Sequence, residues 1–422
     1  MPASRRQKFT LLLFFLAFGT RVAFLVVHGI HRTPDTAEYE LLARNILRAQ
    51  TFSMSVNPPM RSTIRRPPVY PLFLALVIKV RGGPVTVAIV QALLDALVCA
   101  LLFLMASRIV RGRLGFAVAL LYAFHPGPIS ASCTLLSETL FTVLFFAAAF
   151  LAMKASERLS AMLALCSGIV FGMATLCRSI ALLYVACVGF LFFLRHFRRT
   201  AVFIAIGAAA VIAPWIVRSS RLAGRFVMIQ APSFIDWYLP TLTWVDTKDE
   251  TVLWRYFDDV DPYGVRISKA VTAAEVMSAD DFGRQQAVIN IRRNPREYVR
   301  RQIGSYPHLF LTTFDRFTGL NRSIGDVARA HDVPGLALKL GLMLLFSVLP
   351  MVAACMGLPA SYRNLTASAA AAAWIVTLAM HIPMWVEYRY WIPVVPFQLL
   401  TAAIGVQAVT DRMKRDPLPL TE

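Results

Sequence analysis

Three acids, Asp35, Glu38 and Glu40, fall within the stretch TPDTAEYELLARN at residues 33 to 45. Further along the same segment, RSTIRRPPVYP places Arg61, Arg65 and Arg66 directly ahead of a Pro-Pro break. A carboxylate can take the proton of an attacking hydroxyl, and guanidinium groups can grip a phosphate through paired N–H donors. One loop therefore holds both partners that transfer of a group from a phosphate ester requires. In a helix that starts after Pro34, Asp35 and Glu38 lie near one face with Leu42, while Tyr39, Ala43 and Ile46 line the adjacent side. Plainer readings stay open: Asp35 as a first-turn acid that complements the helix dipole, and the arginines as contacts for anionic lipid headgroups.

More ionisable groups stand at the ends of apolar runs, where burial is costly unless a cavity or partner receives them. These are Glu138 in LLSETLF, Arg178 in TLCRSIA, Arg218 in PWIVRSS, and Glu387 and Arg389 in WVEYRYWIP. Projected to one plane, they form a single cavity facing the Asp35 loop, with Glu38 and Tyr39 on its wall. Arg21 and Asp95 lie mid-run instead and read as a structural pair. His125 and His381 show no ligand spacing and read as packing histidines. A nucleophilic triad, a P-loop and a dinucleotide-binding glycine motif are all absent. The sequons at Asn321 and Asn364 read as chance occurrences.

The elements that must hold these groups are membrane helices. The chain has 422 residues, 57% of them hydrophobic, and a mean hydropathy of +0.59, more apolar than a soluble core requires. Its net charge of +19 comes in short basic clusters between the apolar runs, so the charge reports topology and not nucleic-acid binding. Six cysteines lie in or beside apolar runs without CxxC spacing, which excludes a zinc ribbon or disulfide framework.

About ten spans follow from runs near 20 residues: 9–28, 85–106, 114–132, 139–153, 161–177, 179–194, 200–217, 336–357, 366–385 and 391–410. The clusters at 4–8, 107–113, 154–158, 195–199 and 411–415 then share one side, which the positive-inside rule makes the cytoplasm. The run at 68–80 is too short to span and reads as a re-entrant or interfacial helix.

Two long segments face the other side, residues 29–84 and 218–335. The second carries 16 Lys and Arg against 14 Asp and Glu, with aromatic clusters such as DWYLPTLTW, a composition suited to a small folded lid. The expected division is thus 1–217 as the N-terminal membrane module, 218–335 as the lid, and 336–422 as the C-terminal spans and tail. Within the lid, Asn294 reads as an N-cap and Pro295 as the first residue of an amphipathic helix. Val299, Ile303, Tyr306 and Phe310 are expected on one face, opposite Arg296, Arg300 and Arg301, either for the headgroup region or for the lid's own core.

The order PDTAEYELLARNIL, RRPPVYPLFLAL, VQALLDALVCALLFLMASRIV, HPGPISASCTLLSETLF, TLCRS, APWIVRSSRLAG and EYRYWIPVVPF, spread over residues 9–410, resembles the polytopic GT-C glycosyltransferases. The likeness is to their bacterial branch, similar to aminoarabinose transferases and to dolichyl-phosphate-mannose protein mannosyltransferases. The resemblance implies an all-α integral membrane enzyme that uses a polyprenyl-phosphate sugar donor and a lipid, glycan or protein acceptor, on the periplasmic face of the bacterial inner membrane. It maps the catalytic acid onto Asp35, with Glu138 as a second acid. It maps donor-phosphate contacts onto Arg66, with Arg65 and Arg178 beside it, and cavity positions onto Arg389 and Tyr390. The adjacent Asp-Glu pair of the mannosyltransferases is not present here, since two residues separate Asp35 from Glu38. No metal-ligand set is assigned, and a divalent metal is left open. A lipid-linked oligosaccharide flippase and an O-antigen polymerase or ligase are the alternatives. Transporters carry internal repeats and broken helices at mid-membrane, whereas no repeat relates the halves of this chain and its polar groups gather at span ends.

Overall fold

The structure, a computed structural model, describes residues 3–80, 82–231, 234–242, 256–320 and 323–415. Among these residues all regular secondary structure is helical, and the strand-like pairing is two isolated backbone bridges, His31 with Thr134 and Ser53 with Ser62. Ten helices carry the argument as far as the outer segment: α1 (Ala3–His28), α2 (Pro34–Ala49), α3 (Val69–Lys79), α4 (Pro84–Ile109), α5 (Leu114–Ala123), α6 (Pro126–Ser132), α7 (Ser137–Arg158), α8 (Ala161–Thr175), α9 (Ala181–Leu194) and α10 (Arg198–Ala223).

The chain is a multi-pass integral membrane protein. Six described helices are long and apolar enough to cross a bilayer, and a seventh if α5 and α6, bent by 47° at Pro126, count as one span. All ten expected runs are helical, but α8, α9 and Leu365–Met380 have only 15, 14 and 16 residues. That is short of the roughly 20 that a straight span requires, because the apolar runs continue past the helix ends into turns. Of the ten expected runs, six or seven thus form helices of spanning length among the described residues, and three form shorter apolar helices. Helix α3, at 11 residues, has the length of the interfacial element expected at 68–80.

Local chemistry fixes where the helices begin and bend. Thr33 opens α2 by a reciprocal cap, its backbone N–H donating to Thr36 Oγ1 at 3.0 Å, with Pro34 at the first helical position. Pro126 has no N–H to continue α5, so the last carbonyls of that helix need other donors. Arg21 of α1 supplies them, donating to the carbonyls of Ala123 and Tyr122. The same guanidinium donates to Asp95 of α4 at 2.7 Å, and Tyr122 Oη donates to the other Asp95 oxygen at 2.6 Å. With Arg21 fully buried, this pair knits α1, α4 and α5 together at the bend, in the structural role expected of it.

Small residues let the C-terminal spans touch. A Cβ on Gly405 would lie 2.0 Å from the Ala353 carbonyl, and one on Gly357 would lie 2.2 Å from that of Thr401. This close seam, typical of helix contact in membranes, clamps Leu349–Ser361 against Val395–Arg415.

The segment after α10 has a small core of its own, including Val227, Tyr238, Leu239, Phe257, Tyr263, Ile267 and Val276, closed by Ile64 from the first loop. Its helices are Pro262–Lys269, Ala273–Arg293 and Pro295–Ser305. Asn294 precedes the last of these without capping it through its side chain. The expected amphipathic split is also corrected. Tyr298 and Gln302 face the protein, while Val299 and Ile303 share the exposed groove face with Arg296 and Arg300. Tyr306 turns inward, its hydroxyl donating to the Leu378 carbonyl at 2.6 Å. The Asn321 sequon lies outside the described residues. Asn364 instead caps Leu365–Met380, accepting from Ala367 N at 3.0 Å.

Candidate active site

Helix α2 presents Asp35 in its first turn and Glu38 one turn on. The same and the adjacent side of the helix bury Thr36, Tyr39, Leu42 and Ala43. The register is pinned by Thr36 Oγ1, which donates to the Leu135 carbonyl at 3.2 Å, and by the backbone of His31, which bonds Cys133 and Leu135. The break at Pro126 and the connection that follows α6 thereby set the position of the acids.

Arg66 lies between the two carboxylates. Its Nη2 donates to Asp35 Oδ1 at 2.5 Å and its Nε to Glu38 Oε2 at 2.6 Å, while the guanidinium rests 5.3 Å from the centre of the Tyr39 ring. Arg65 pairs with the other Glu38 oxygen and also donates to the Ile267 carbonyl of the outer segment. From the far end of the chain, Arg389 Nη1 donates to Asp35 Oδ2 at 2.9 Å, with its Nε 2.7 Å from Glu387. Both oxygens of Asp35 are thus held by cations. Burial alone would raise its carboxyl, but the charges of Arg66 and Arg389 outweigh burial and hold it well below the usual carboxylate range.

A second pair stands beside the first. Arg178 Nη1 lies 2.7 Å from Glu138 Oε1, and its guanidinium sits 5.6 Å from the Tyr390 ring centre, a ring that Arg389 also approaches, at 5.3 Å. Tyr390 therefore separates two guanidiniums and stacks on His381. Glu138 is buried, and its Oε2 has no hydrogen-bond partner. A buried acceptor without a partner, beside an oxygen paired with Arg178, leaves capacity for a donor.

The structure brings together Asp35, Glu38, Tyr39, Arg65, Arg66, Glu138, Arg178, Glu387, Arg389 and Tyr390. Arg218 stands apart: its Nη1 donates to the Thr63 carbonyl at 3.2 Å, and its guanidinium stacks 4.4 Å from the Trp215 ring centre. It braces the first loop against α10 and does not line the cluster. His125 accepts from Gly127 N at 3.2 Å, and His381 contacts the Thr377 carbonyl at 2.7 Å, so both are satisfied within packed helices.

Asp236, the first residue of DWYLPTLTW, was not singled out from sequence. Its backbone carbonyl accepts from Trp385 N at 2.5 Å, which ties the outer segment to the strip that carries Glu387 and Arg389. Burial, reinforced by Glu387, pushes its carboxyl up to about 6. The only signal at the sequence level was an acid beside an aromatic cluster, which fixes no partner. Tyr70 and Gln91 were missed as well. Tyr70 Oη donates to Gln91 Oε1 at 2.9 Å, and Gln91 Nε2 donates to the Thr134 carbonyl at 2.8 Å. They buttress Tyr39 from below, through an edge-on ring contact at 4.9 Å. Among the described residues, no three His, Cys, Asp or Glu side chains converge in a way that could hold a metal ion.

Residues 65–217 match the family model described as dolichyl-phosphate-mannose-protein mannosyltransferase. No curated protein matches the chain in sequence. Among solved structures, the Archaeoglobus fulgidus oligosaccharyltransferase, in a complex with zinc and sulfate, aligns at a TM-score of 0.55 and 13% identity over 96% of this chain and 50% of that one. The Archaeoglobus fulgidus oligosaccharyltransferase AglB, with an inhibitory peptide and a dolichol-phosphate, aligns at 0.53 and 13% over 96% of this chain and 51% of that one. The chain spans about half the length of these oligosaccharyltransferases. ArnT from Cupriavidus metallidurans, bound to undecaprenyl phosphate, aligns at only 0.40 with 13% identity, over 99% of this chain and 81% of that one. The resemblance read from the sequence is met in two findings: the chain shares the fold of these archaeal oligosaccharyltransferases, and its residues 65–217 match the protein mannosyltransferase family model.

Proposed function

We infer that the protein transfers a sugar from a polyprenyl-phosphate donor to an acceptor hydroxyl or amine on the periplasmic side of a bacterial inner membrane, with 218–335 as a lid over a site built from the modules 1–217 and 336–422. The observation that carries this reading is the Asp35 carboxylate clamped between Arg66 and Arg389. The same guanidiniums that hold a carboxylate can hold the phosphodiester of such a donor and the phosphate monoester it leaves behind, through the same planar, paired donors.

Chemistry follows from that exchange. A donor phosphate that engages Arg66 and Arg389 withdraws the two cations that depress Asp35, and the carboxylate regains basicity next to the reacting centre. The bond between the sugar's anomeric carbon and the phosphate oxygen breaks, and its electron pair leaves on the phosphate, where the arginines stabilise the charge. The acceptor oxygen or nitrogen attacks the oxocarbenium-like carbon, and its proton passes to Asp35. Arg178 stands ready as a further phosphate contact, oriented by Glu138, while Glu38 and Arg65 hold Arg66 in register. The unpartnered Glu138 Oε2 is suited to accept from a sugar hydroxyl.

The test is Asp35→Asn, made in full-length protein that still reaches the membrane and assayed for sugar transfer from a polyprenyl-phosphate donor. Loss of a positioned base should slow transfer by about 100-fold or more. Near-normal transfer removes Asp35 from the mechanism.

A further inference from the structure

The outer segment carries a feature that sugar transfer does not use. Helix Pro295–Ser305 faces the protein with Tyr298 and Gln302, which donate to the carbonyls of Pro383 at 2.6 Å and Met384 at 3.2 Å. One turn further on, Tyr306 reaches the Leu378 carbonyl near the end of the membrane helix Leu365–Met380. These three bonds tie the helix to the C-terminal end of the apolar helix Leu365–Met380 and the strip that follows it, where an apolar run gives way to polar residues as it does in a headgroup zone.

Its other face is open. Arg296, Val299, Arg300 and Ile303, spaced three and four residues apart, line a shallow groove with Pro295. Val299 is 53% and Ile303 is 70% exposed, an unusual setting for two large aliphatics in the middle of an amphipathic helix. The preceding helix ends in exposed Arg292 and Arg293, which carry the basic character up to this face. Glu297 is the one acid on the helix, and it is engaged by Arg300 and Arg301. Apolar side chains flanked by guanidiniums, held at the level of the span ends, match the chemistry of an anionic bilayer surface: acyl carbons below and phosphates above.

We propose that the Pro295–Ser305 face is a docking surface for anionic phospholipid headgroups, with Val299 and Ile303 dipping into the acyl boundary and Arg293, Arg296 and Arg300 taking lipid phosphates. Tyr298, Gln302 and Tyr306 join this helix to the strip that leads to Glu387 and Arg389, so lipid contact bears on the wall of the site. The surface stands independently of the transfer reading, since it asks only for a bilayer.

The experiment places a nitroxide at Ile303→Cys in the full-length protein, reconstituted in phosphatidylcholine nanodiscs with increasing fractions of phosphatidylglycerol. The spectrum of the protein lacking this cysteine is subtracted. The expected result is a label that gains contact with dissolved oxygen and loses contact with a water-soluble nickel chelate as phosphatidylglycerol rises. Arg296→Gln should shift the half-point to about fivefold more phosphatidylglycerol, the weight of one basic residue near an anionic surface. The composition series uses no charge variant, so misfolding cannot imitate it. A label that stays water-exposed at every composition overturns the proposal. So does an unshifted half-point in Arg296→Gln, or a burial that follows protein concentration instead of lipid, which would assign the face to a second copy of the chain.

Discussion

Arg66 donates from Nη2 to Asp35 at 2.5 Å while its Nε holds Glu38 at 2.6 Å, so one side chain sets the geometry of both acids of α2. The same carboxylate takes a second guanidinium from Arg389. Asp35 is consequently an ion in the resting protein, well below the usual carboxylate range, and its protonation is not what changes between mildly acidic and neutral pH. As for any carboxyl whose folded value is depressed, the stability that its pairing contributes is present above the unfolded value and lost only in strong acid.

Arg389→Lys tests the two-cation clamp. A lysine is a point charge and cannot bond Asp35 and Glu387 together in the planar geometry seen here. Transfer from a polyprenyl-phosphate donor should fall by about tenfold or more at unchanged membrane abundance, the scale of one charge-assisted hydrogen bond. Unaltered transfer would show that the clamp is dispensable.

Asp236→Asn tests the outer segment. Burial raises the Asp236 carboxyl from 3.8 to about 6, so the neutral acid is the form that folding prefers. The stabilisation is complete below the unfolded value and lost as pH climbs through about 6. In detergent melts, the variant should outlast the parent at about pH 7.5 and match it at about pH 4, where the parent carboxyl is already neutral. An equal offset at both pH values would contradict this. Asp280, also pushed up to about 6 by burial, shapes the parent curve in the same direction but is common to both proteins, so the difference isolates Asp236.

Much of this arrangement was legible in the sequence. Acids and arginines within one loop, and charges at the ends of apolar runs, are costly beside a bilayer without partners, and most of those singled out do meet, whereas Glu40 pairs with Arg32 and Arg44 and Arg61 is exposed. Arg218 misled because an arginine at a span end looks the same whether it faces a cavity or, as here, stacks on Trp215. Which of the ten runs form helices of spanning length was not legible because hydropathy reads composition, whereas the helix stops at Thr175 and resumes at Ala181 within apolar sequence. The facing of Pro295–Ser305 was wrong because the inward contacts are hydrogen bonds from Tyr298 and Gln302, which apolar periodicity cannot see.

Arg21→Gln tests the knot at the α5–α6 bend. It leaves Asp95 buried against Tyr122 alone and the Ala123 carbonyl with only the Thr20 hydroxyl. Breaking such a buried pair costs about 3–5 kcal/mol, and the expected result is a marked loss of monodisperse protein on size-exclusion in detergent. Replacing both members, as Arg21→Met with Asp95→Leu, should recover part of it by removing the stranded charge. If the double variant is as poor as the single one, the carbonyl contacts outweigh the ion pair.

Gly405→Leu tests the C-terminal seam. The new side chain would collide with the Ala353 backbone, which a Cβ alone already meets at 2.0 Å. The helix that follows Arg389 must then shift. Transfer should drop by about tenfold or more even where the protein still inserts, since catalytic groups displaced by an ångström lose that much. Full activity would mean that the 388–415 region tolerates sliding.

The Arg389 to Asp35 bond joins residues 354 positions apart. The first loop by itself offers its acids only Arg65 and Arg66. The charge cluster is therefore whole only when the last quarter of the chain has packed against the first tenth, and any change that loosens the C-terminal helices reaches Asp35 directly.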